Sequence, residues 1–273
     1  MHGNRATGAQ GPSRELGDGV AMPMLGLGVW QSPGGAVTEQ AVEWALEAGY
    51  RHIDTATYYR NEASVGAALA RSGLPREDLF VTTKWLPVLR GPHVELQRSL
   101  ERLALAHVDL YLIHWPVPGR SGRGWRALER IHEQGLARAV GVSNYGGRRL
   151  AALLDRARRP PAVNQVQFSP FHFRRALLEL CERRGVVLEA YSPLERGKRL
   201  DDPAVVAIAR RLGREPAQVM LRWAIQHGVP VIPKSTRRER IVSNARIFDF
   251  SLGDEDMRAL DGLDRTGGTA GAR

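Results

Sequence analysis

An aspartate at position 54, a tyrosine five residues later at 59, a lysine at 84 and a histidine at 114 are residue types that together can move a proton. A tyrosine hydroxyl ordinarily titrates near about 10, too high to exchange its proton readily at neutral pH. A lysine ammonium beside it favours the tyrosinate and lowers that value, while a carboxylate paired with the lysine keeps the ammonium charged and aimed. Tyr59 then becomes a usable general acid or base, and His114 can donate a hydrogen bond that orients a substrate oxygen. The set lacks the ligands of a metallohydrolase and no metal is expected, so proton delivery to a carbonyl under reduction is the most economical chemistry. Taken singly, Lys84 or His114 would be a structural or solvated group by default.

Their placement along the chain removes them from that default. Short β-branched or aliphatic runs lie at 24–29, 51–54, 79–83, 108–113, 137–142, 162–167, 186–190 and 230–233, separated by longer segments of helical periodicity such as TEQAVEWALEAG (38–49). Several of those segments stop at a glycine suited to a C-terminal cap, at Gly49, Gly73, Gly135, Gly185 and Gly228. Eight strands each followed by a helix predict a parallel (β/α)8 TIM barrel rather than an open sheet. Residues 14–273 form that single domain, opened by an N-terminal β-hairpin turning at Gly17-Asp18-Gly19, with 1–13 a disordered extension. Such barrels build their sites from the C-terminal ends of the strands. The polar residues at or just past the ends of these runs are Asp54, Lys84, His114, Ser143 with Asn144, Gln165, Tyr191 with Ser192, and Lys234 with Ser235. One polar strand exit is ordinary; the same register on seven strands is not.

Composition excludes several other classes. At 273 residues and 43% hydrophobic the chain can bury a sizeable core. It contains no apolar run long enough for a bilayer and no secretory leader, and its one cysteine, Cys181, excludes an intramolecular disulfide and a cysteine-rich zinc site. A cytoplasmic protein is expected, with Cys181 a buried structural thiol. The formal charge of +10 comes from the stretch between Arg148 and Arg240, with 20 basic against 9 acidic residues. The excess is spread as pairs such as Arg183-Arg184 on helix faces, without interleaved aromatics, so neither a nucleic-acid nor a membrane partner is expected.

Motif order adds a resemblance. From GLGVW (26–30) through RHIDTATYYRNEASVG, VTTK, DLYLIHWP, GVSN, NQVQ, YSPL and IPKS to NARIFDF, the chain resembles the aldo-keto reductase family over nearly its whole length. Within it the chain is similar to short bacterial members of the 2,5-diketo-D-gluconate reductase type. The resemblance implies NADPH-dependent carbonyl reduction, with Tyr59 as proton donor, Lys84 and Asp54 tuning it, and His114 orienting the carbonyl. It implies that Ser143, Asn144 and Gln165 hold the nicotinamide carboxamide and that Tyr191 stacks on the nicotinamide, with Ser192 and Leu194 of YSPL in the same cofactor set. Lys234, Ser235 and Arg240 match the positions that hold the 2′-phosphate, Thr236 belongs to the same cofactor set, and Asn244 lies near the adenine; Arg237 and Arg238 are read as solvated. A monomer is the family default.

Trp30, Trp85 and Trp115 come after strand ends and are expected to line an aromatic substrate pocket. The short segment after His114 and the short tail after Leu263 predict an open pocket of broad specificity for keto-sugars, α-dicarbonyls and simple aldehydes. Glu195-Arg196 after YSPL, and Gln167 and Ser243, depart from the family pattern and are expected to loosen NADPH binding without abolishing it. Other chemistries fit less well. GLGVWQ fails the open-sheet dinucleotide fingerprint at its third glycine, and GVSNY (141–145) lacks the closing glycine of a nucleophile elbow. Lys84 as the Schiff-base lysine of a barrel lyase, and a non-catalytic NADPH-binding regulatory or redox-sensing module, remain as alternatives.

Overall fold

The computed structural model describes residues 11–17, 19–119 and 121–264. Strands β1 (Ser13–Glu15) and β2 (Ala21–Pro23) pair antiparallel, and the turn between them closes with the Leu16 N–H donating to Val20 O at 2.9 Å. Gly17 and Gly19 take the left-handed φ values of 83° and 69° that this turn requires. Asp18 and residues 1–10 of the expected extension lie outside the described residues, and Ser13, assigned to that extension, already pairs in β1.

The eight expected runs become β3 (Gly26–Gly28), β4 (His52–Asp54), β5 (Phe80–Trp85), β6 (Val108–Ile113), β7 (Ala137–Ser143), β8 (Val163–Gln167), β9 (Val187–Tyr191) and β10 (Val231–Ile232). All neighbours pair parallel in chain order. The ends of the sheet meet through a parallel bridge between Leu25 and Val231 and a 3.2 Å bond from Gly28 N–H to Pro233 O. Gly28 makes this closure possible, since a Cβ there would come 2.8 Å from Ile232 O. The fold is therefore the (β/α)8 TIM barrel.

The intervening helices are α1 (Ala36–Glu47), α2 (Glu62–Arg71), α3 (Pro92–Leu103), α4 (Ser121–Glu133), α5 (Gly147–Leu154) and α6 (Arg175–Arg183). Two more, α7 (Pro203–Leu212) and α8 (Pro216–Gln226), follow β9, and α9 (Arg238–Ala245) and α10 (Asp254–Asp261) follow β10. The five glycines read as helix stops all have positive φ. Among the described residues no helix is long and apolar enough to cross a membrane.

Strand alternation divides the core in two. One face of each strand packs outward against the helices, as Val81, Tyr111, Val140 and Val166 do. The other face fills the barrel. Its lower half is apolar: Phe80, Leu110, Leu112, Ala139, Val163 and Val187 meet Leu16, Val20 and Met22 of the hairpin, which plugs the bottom. Two residues further along the same faces come Thr82, Gln165 and Glu189, so the interior turns polar toward the mouth.

Candidate active site

Asp54 ends β4 and Lys84 lies near the end of β5, both pointing into the barrel and both buried. The Lys84 ammonium has three hydrogens and three acceptors: Asp54 Oδ1 at 2.5 Å, Thr55 O at 2.9 Å and the Tyr59 hydroxyl at 3.4 Å. The ammonium also stands 5.0 Å from the centre of the Tyr59 ring. Tyr59 closes a one-turn 3-10 helix (Thr57–Tyr59), followed by Arg60 in the left-handed region. Its neighbour Tyr58 is 63% exposed, which separates the two tyrosines.

The turn is held from behind. Asn61 donates to Val29 O at 2.9 Å and Ser32 O at 3.1 Å and accepts from the Thr55 hydroxyl at 2.8 Å. Buried Glu62 accepts from the Thr83 hydroxyl at 2.6 Å and from Arg102. Asn61 and Glu62 of the sequence motif therefore position the loop rather than react. Gly66 belongs to the same device, because a Cβ there would come 2.5 Å from Leu103 O, where α2 meets the end of α3.

Electrostatics define what each group can do. Burial pushes the Tyr59 phenol up to about 12; Lys84 pulls it down, but not by enough to offset burial, and Asp54 adds to the rise. The expected lowering by Lys84 is present, but the net direction is reversed, so Tyr59 holds its proton through the neutral range. Burial works to lower the Lys84 value, yet contact with Asp54 and Tyr59 leaves it raised and the amine charged. His114 follows β6, its ring 5.6 Å from that of Tyr59. Burial first, then Lys84, lowers it to about 3, so the imidazole is neutral and can donate a single N–H. Its Nδ1 is buried and has no hydrogen-bond partner.

The other strand ends surround this group. The Ser143 hydroxyl donates to Gln165 O at 2.9 Å; Asn144, at φ 64°, donates to His114 O at 3.1 Å and accepts from the Tyr191 hydroxyl at 2.8 Å. The Gln165 amide nitrogen donates to Asp54 Oδ2 at 2.8 Å and to Glu189 Oε2 at 2.9 Å. After β9, Ser192, Glu195 and Arg196 all have left-handed φ, so the chain keeps here, with ordinary side chains, a backbone that usually selects glycine. Glu195 is tied down by Ser169 at 2.6 Å and His172 at 3.1 Å, and Arg196 lies 4.9 Å over the Trp30 ring. Leu194 packs on the core below.

Beyond β10, Lys234 and Arg240 are exposed, Thr236 is half-buried, and Ser235 and Asn244 are buried. Arg237 pairs with Glu239 and Arg238 with Glu47, whereas among the described residues neither Lys234 nor Arg240 forms an ion pair. The basic segment opens α9, and α10 follows it.

Among the tryptophans, Trp30 is half-buried and Trp115 is 50% exposed. Trp85 is corrected. It lies on the outward face of β5, 4% exposed, with its indole N–H donating to Arg90 O at 2.7 Å and its ring against Gly124 of α4, where a Cβ would come within 2.5 Å. Alternation one residue past Lys84 turns the ring into the helix layer and away from the mouth. Sequence reasoning passed over Glu189 and His52, which face the same interior; the available signal was a charged residue in the middle of the apolar run VVLEA. Cys181 is buried and pushed up to about 12 by burial, an inert thiol.

The arrangement is a charged lysine and carboxylate beneath a protonated tyrosine, a neutral histidine beside it, and amide and hydroxyl groups along one wall. Known proteins share the frame. The chain is 44% identical over 254 residues to the glyoxal reductase of Bacillus subtilis (strain 168), covering 92% of each chain. An aldo/keto reductase from Brucella melitensis superposes with a TM-score of 0.88 at 41% identity, covering 93% of this chain and 99% of that one. A Bombyx mori aldo-keto reductase in complex with NADP superposes with a TM-score of 0.86 at 35% identity, covering 94% of each. The profile of the Aldo/keto reductase family matches residues 24–265, a span that includes every site residue described above, and the chain belongs to that family.

Proposed function

We propose that the protein reduces aldehydes and ketones to alcohols, with α-dicarbonyls, keto-sugars and simple aldehydes as its substrates, and that Tyr59 supplies the proton. The family and its NADP-bound member make the chain an NADPH-dependent oxidoreductase. The observation that carries the finer reading is the Tyr59 hydroxyl, 3.4 Å from a lysine whose other two hydrogens are taken by Asp54 and Thr55. NADPH, when bound, supplies the hydride. Ser143, Asn144 and Gln165 offer the donors and acceptors that a carboxamide needs. Lys234 and Arg240, which form no ion pair among the described residues, suit a 2′-phosphate, and the phenol ring of Tyr191 offers a face to the nicotinamide.

Tyr59 then donates its proton to the carbonyl oxygen as that oxygen gains charge. The Lys84 ammonium, held charged by Asp54, stabilises the tyrosinate left behind, and neutral His114 directs an N–H at the same oxygen. Lys84 itself is no Schiff-base nucleophile, because a charged amine with every hydrogen committed has no lone pair to offer. The B. subtilis relative named a glyoxal reductase supports dicarbonyls as a substrate class.

Purified protein is to be mixed with NADPH and, in turn, methylglyoxal, phenylglyoxal, 4-nitrobenzaldehyde and a diketo-sugar acid, monitoring the loss of NADPH absorbance. Carbonyl-dependent oxidation is the expected result. Tight NADPH binding with no oxidation by any of the four would favour the regulatory module instead.

A further inference from the structure

Beneath the tyrosine, lysine and aspartate lies a second carboxyl that the mechanism above does not use. Glu189, in the middle of β9, is fully buried in the barrel. Its Oε2 accepts from Gln165 at 2.9 Å, while Oε1 has no hydrogen-bond partner and stands 3.9 Å from His52 Nε2. The same Gln165 nitrogen donates its other hydrogen to Asp54 Oδ2 at 2.8 Å. One amide thus bridges two carboxyls, of which Asp54 touches the Lys84 ammonium and Glu189 touches no cation.

Charge conservation in a dry interior decides between them. One ammonium balances one carboxylate, and a second buried anion would stand uncompensated. Burial raises Asp54 as well, but the Lys84 charge and the hydrogen bonds from Lys84 and Gln165 work against that rise; Asp54, in contact with the ammonium, is therefore the ionised member, and Glu189 keeps a proton. Because Oε2 is accepting, that proton sits on Oε1. The donor atoms of His52, Asp54 and Glu189 lie within 4.8 Å of one another, as a metal site would require, but the Lys84 ammonium already holds the carboxylate that such a cation would need.

We propose that Glu189 is a positioning residue for the carbonyl reduction proposed above, on which this inference rests: as a neutral acid it holds Gln165 in place and leaves the Asp54 and Lys84 charges balanced under Tyr59. With both N–H groups of Gln165 turned to carboxyls, its carbonyl oxygen is the atom left to meet a carboxamide N–H at the mouth. Ionisation of Glu189 would undo the arrangement, since a second negative charge beside Asp54 competes for the pull of Lys84 and weakens Tyr59 as an acid.

Burial, with the Asp54 charge adding to it, pushes Glu189 up to about 8. The ionisable groups facing it are His52 and Asp54 on β4 and Lys84 on β5; β8 brings the uncharged Gln165, and β10 and β3 carry no ionisable residue. His52 is lowered to about 3, by burial first, and stays neutral across the range in question.

Glu189→Gln copies the neutral acid and cannot ionise. Wild-type kcat should fall about tenfold between about pH 7 and about pH 9, while Glu189→Gln stays flat and binds NADPH within about threefold of wild type. The infrared C=O band of a protonated carboxyl should be present in wild type at neutral pH and missing in Glu189→Gln. Superimposable pH profiles in proteins whose turnover depends on Tyr59, or no such band, would overturn the role of Glu189 and leave the reductase reading intact. Absence of any Tyr59-dependent turnover would overturn both. Should Glu189→Gln not fold, the wild-type band and the wild-type kcat must titrate together; a band that persists where kcat has already fallen contradicts the proposal.

Discussion

Arg237, Arg238 and Arg240 carry the same charge within four positions, and their partners separate their roles. Two are engaged by Glu239 and Glu47; among the described residues neither Arg240 nor Lys234 forms an ion pair. Arg240→Ala should raise the KM for NADPH about tenfold and leave the KM for NADH nearly unchanged, as expected for a lost charge-assisted phosphate contact. Equal effects on both cofactors, measured by steady-state kinetics, would remove Arg240 from that role. That Asp54, Lys84 and His114 come together was legible in the sequence because each stands at or just past a strand exit, and strand exits converge in this architecture; Tyr59, five residues past its strand, was legible only through its spacing to Asp54 in a motif that resembles the family's. Trp85 was not, because the strand runs one residue beyond Lys84 and alternation turns the ring outward. Glu189 was not, because its meaning depends on which carboxyl Lys84 touches, and no spacing encodes that.

At the scale of elements, the acid is placed by a turn that has little stability of its own. The 3-10 helix carrying Tyr59 spans three residues, and Asn61 fastens it to the loop after β3 through Val29 O and Ser32 O. Asn61→Ala would leave buried carbonyls without a donor, at a cost of about 2–3 kcal/mol in folding stability. It would also free Tyr59 from register with Lys84. The expected result is kcat lowered about tenfold with NADPH affinity unchanged; loss of NADPH affinity with kcat retained would show that the tether serves the cofactor instead. All eight barrel strands were legible, because their apolar runs are bounded by glycine, proline or helix-forming sequence. The expectation of one helix per strand did not anticipate the pairs α7 and α8 after β9 and α9 and α10 after β10. β10 shrinks to two residues, and the prolines that bracket it contribute carbonyls to the barrel, Pro230 O to Ala190 N–H at 2.8 Å and Pro233 O to Gly28 N–H at 3.2 Å.

Over the whole molecule, the interior is graded. An apolar half stoppered by the hairpin gives rigidity, and a polar half holding a lysine, two carboxyls, a glutamine and a histidine gives chemistry. Such a layer costs stability that a hydrophobic filling would not, and proteins keep it where function requires it. Much of the basic excess between residues 148 and 240 sits in surface ion pairs on the helix layer. Arg175, Arg184, Arg211 and Arg214 are each paired with an aspartate, at Asp261, Asp155, Asp256 and Asp249, in contacts whose exposure makes them weak. On the function proposed above, the mouth couples hydride arrival to a proton from Tyr59. That coupling is tested most directly by single-turnover oxidation of bound NADPH by methylglyoxal in wild type and Tyr59→Phe, with NADPH affinity measured by fluorescence in both. Unchanged affinity and hydride transfer slower by about 10² or more are expected in Tyr59→Phe; hydride transfer at the wild-type rate would exclude Tyr59 as the proton donor.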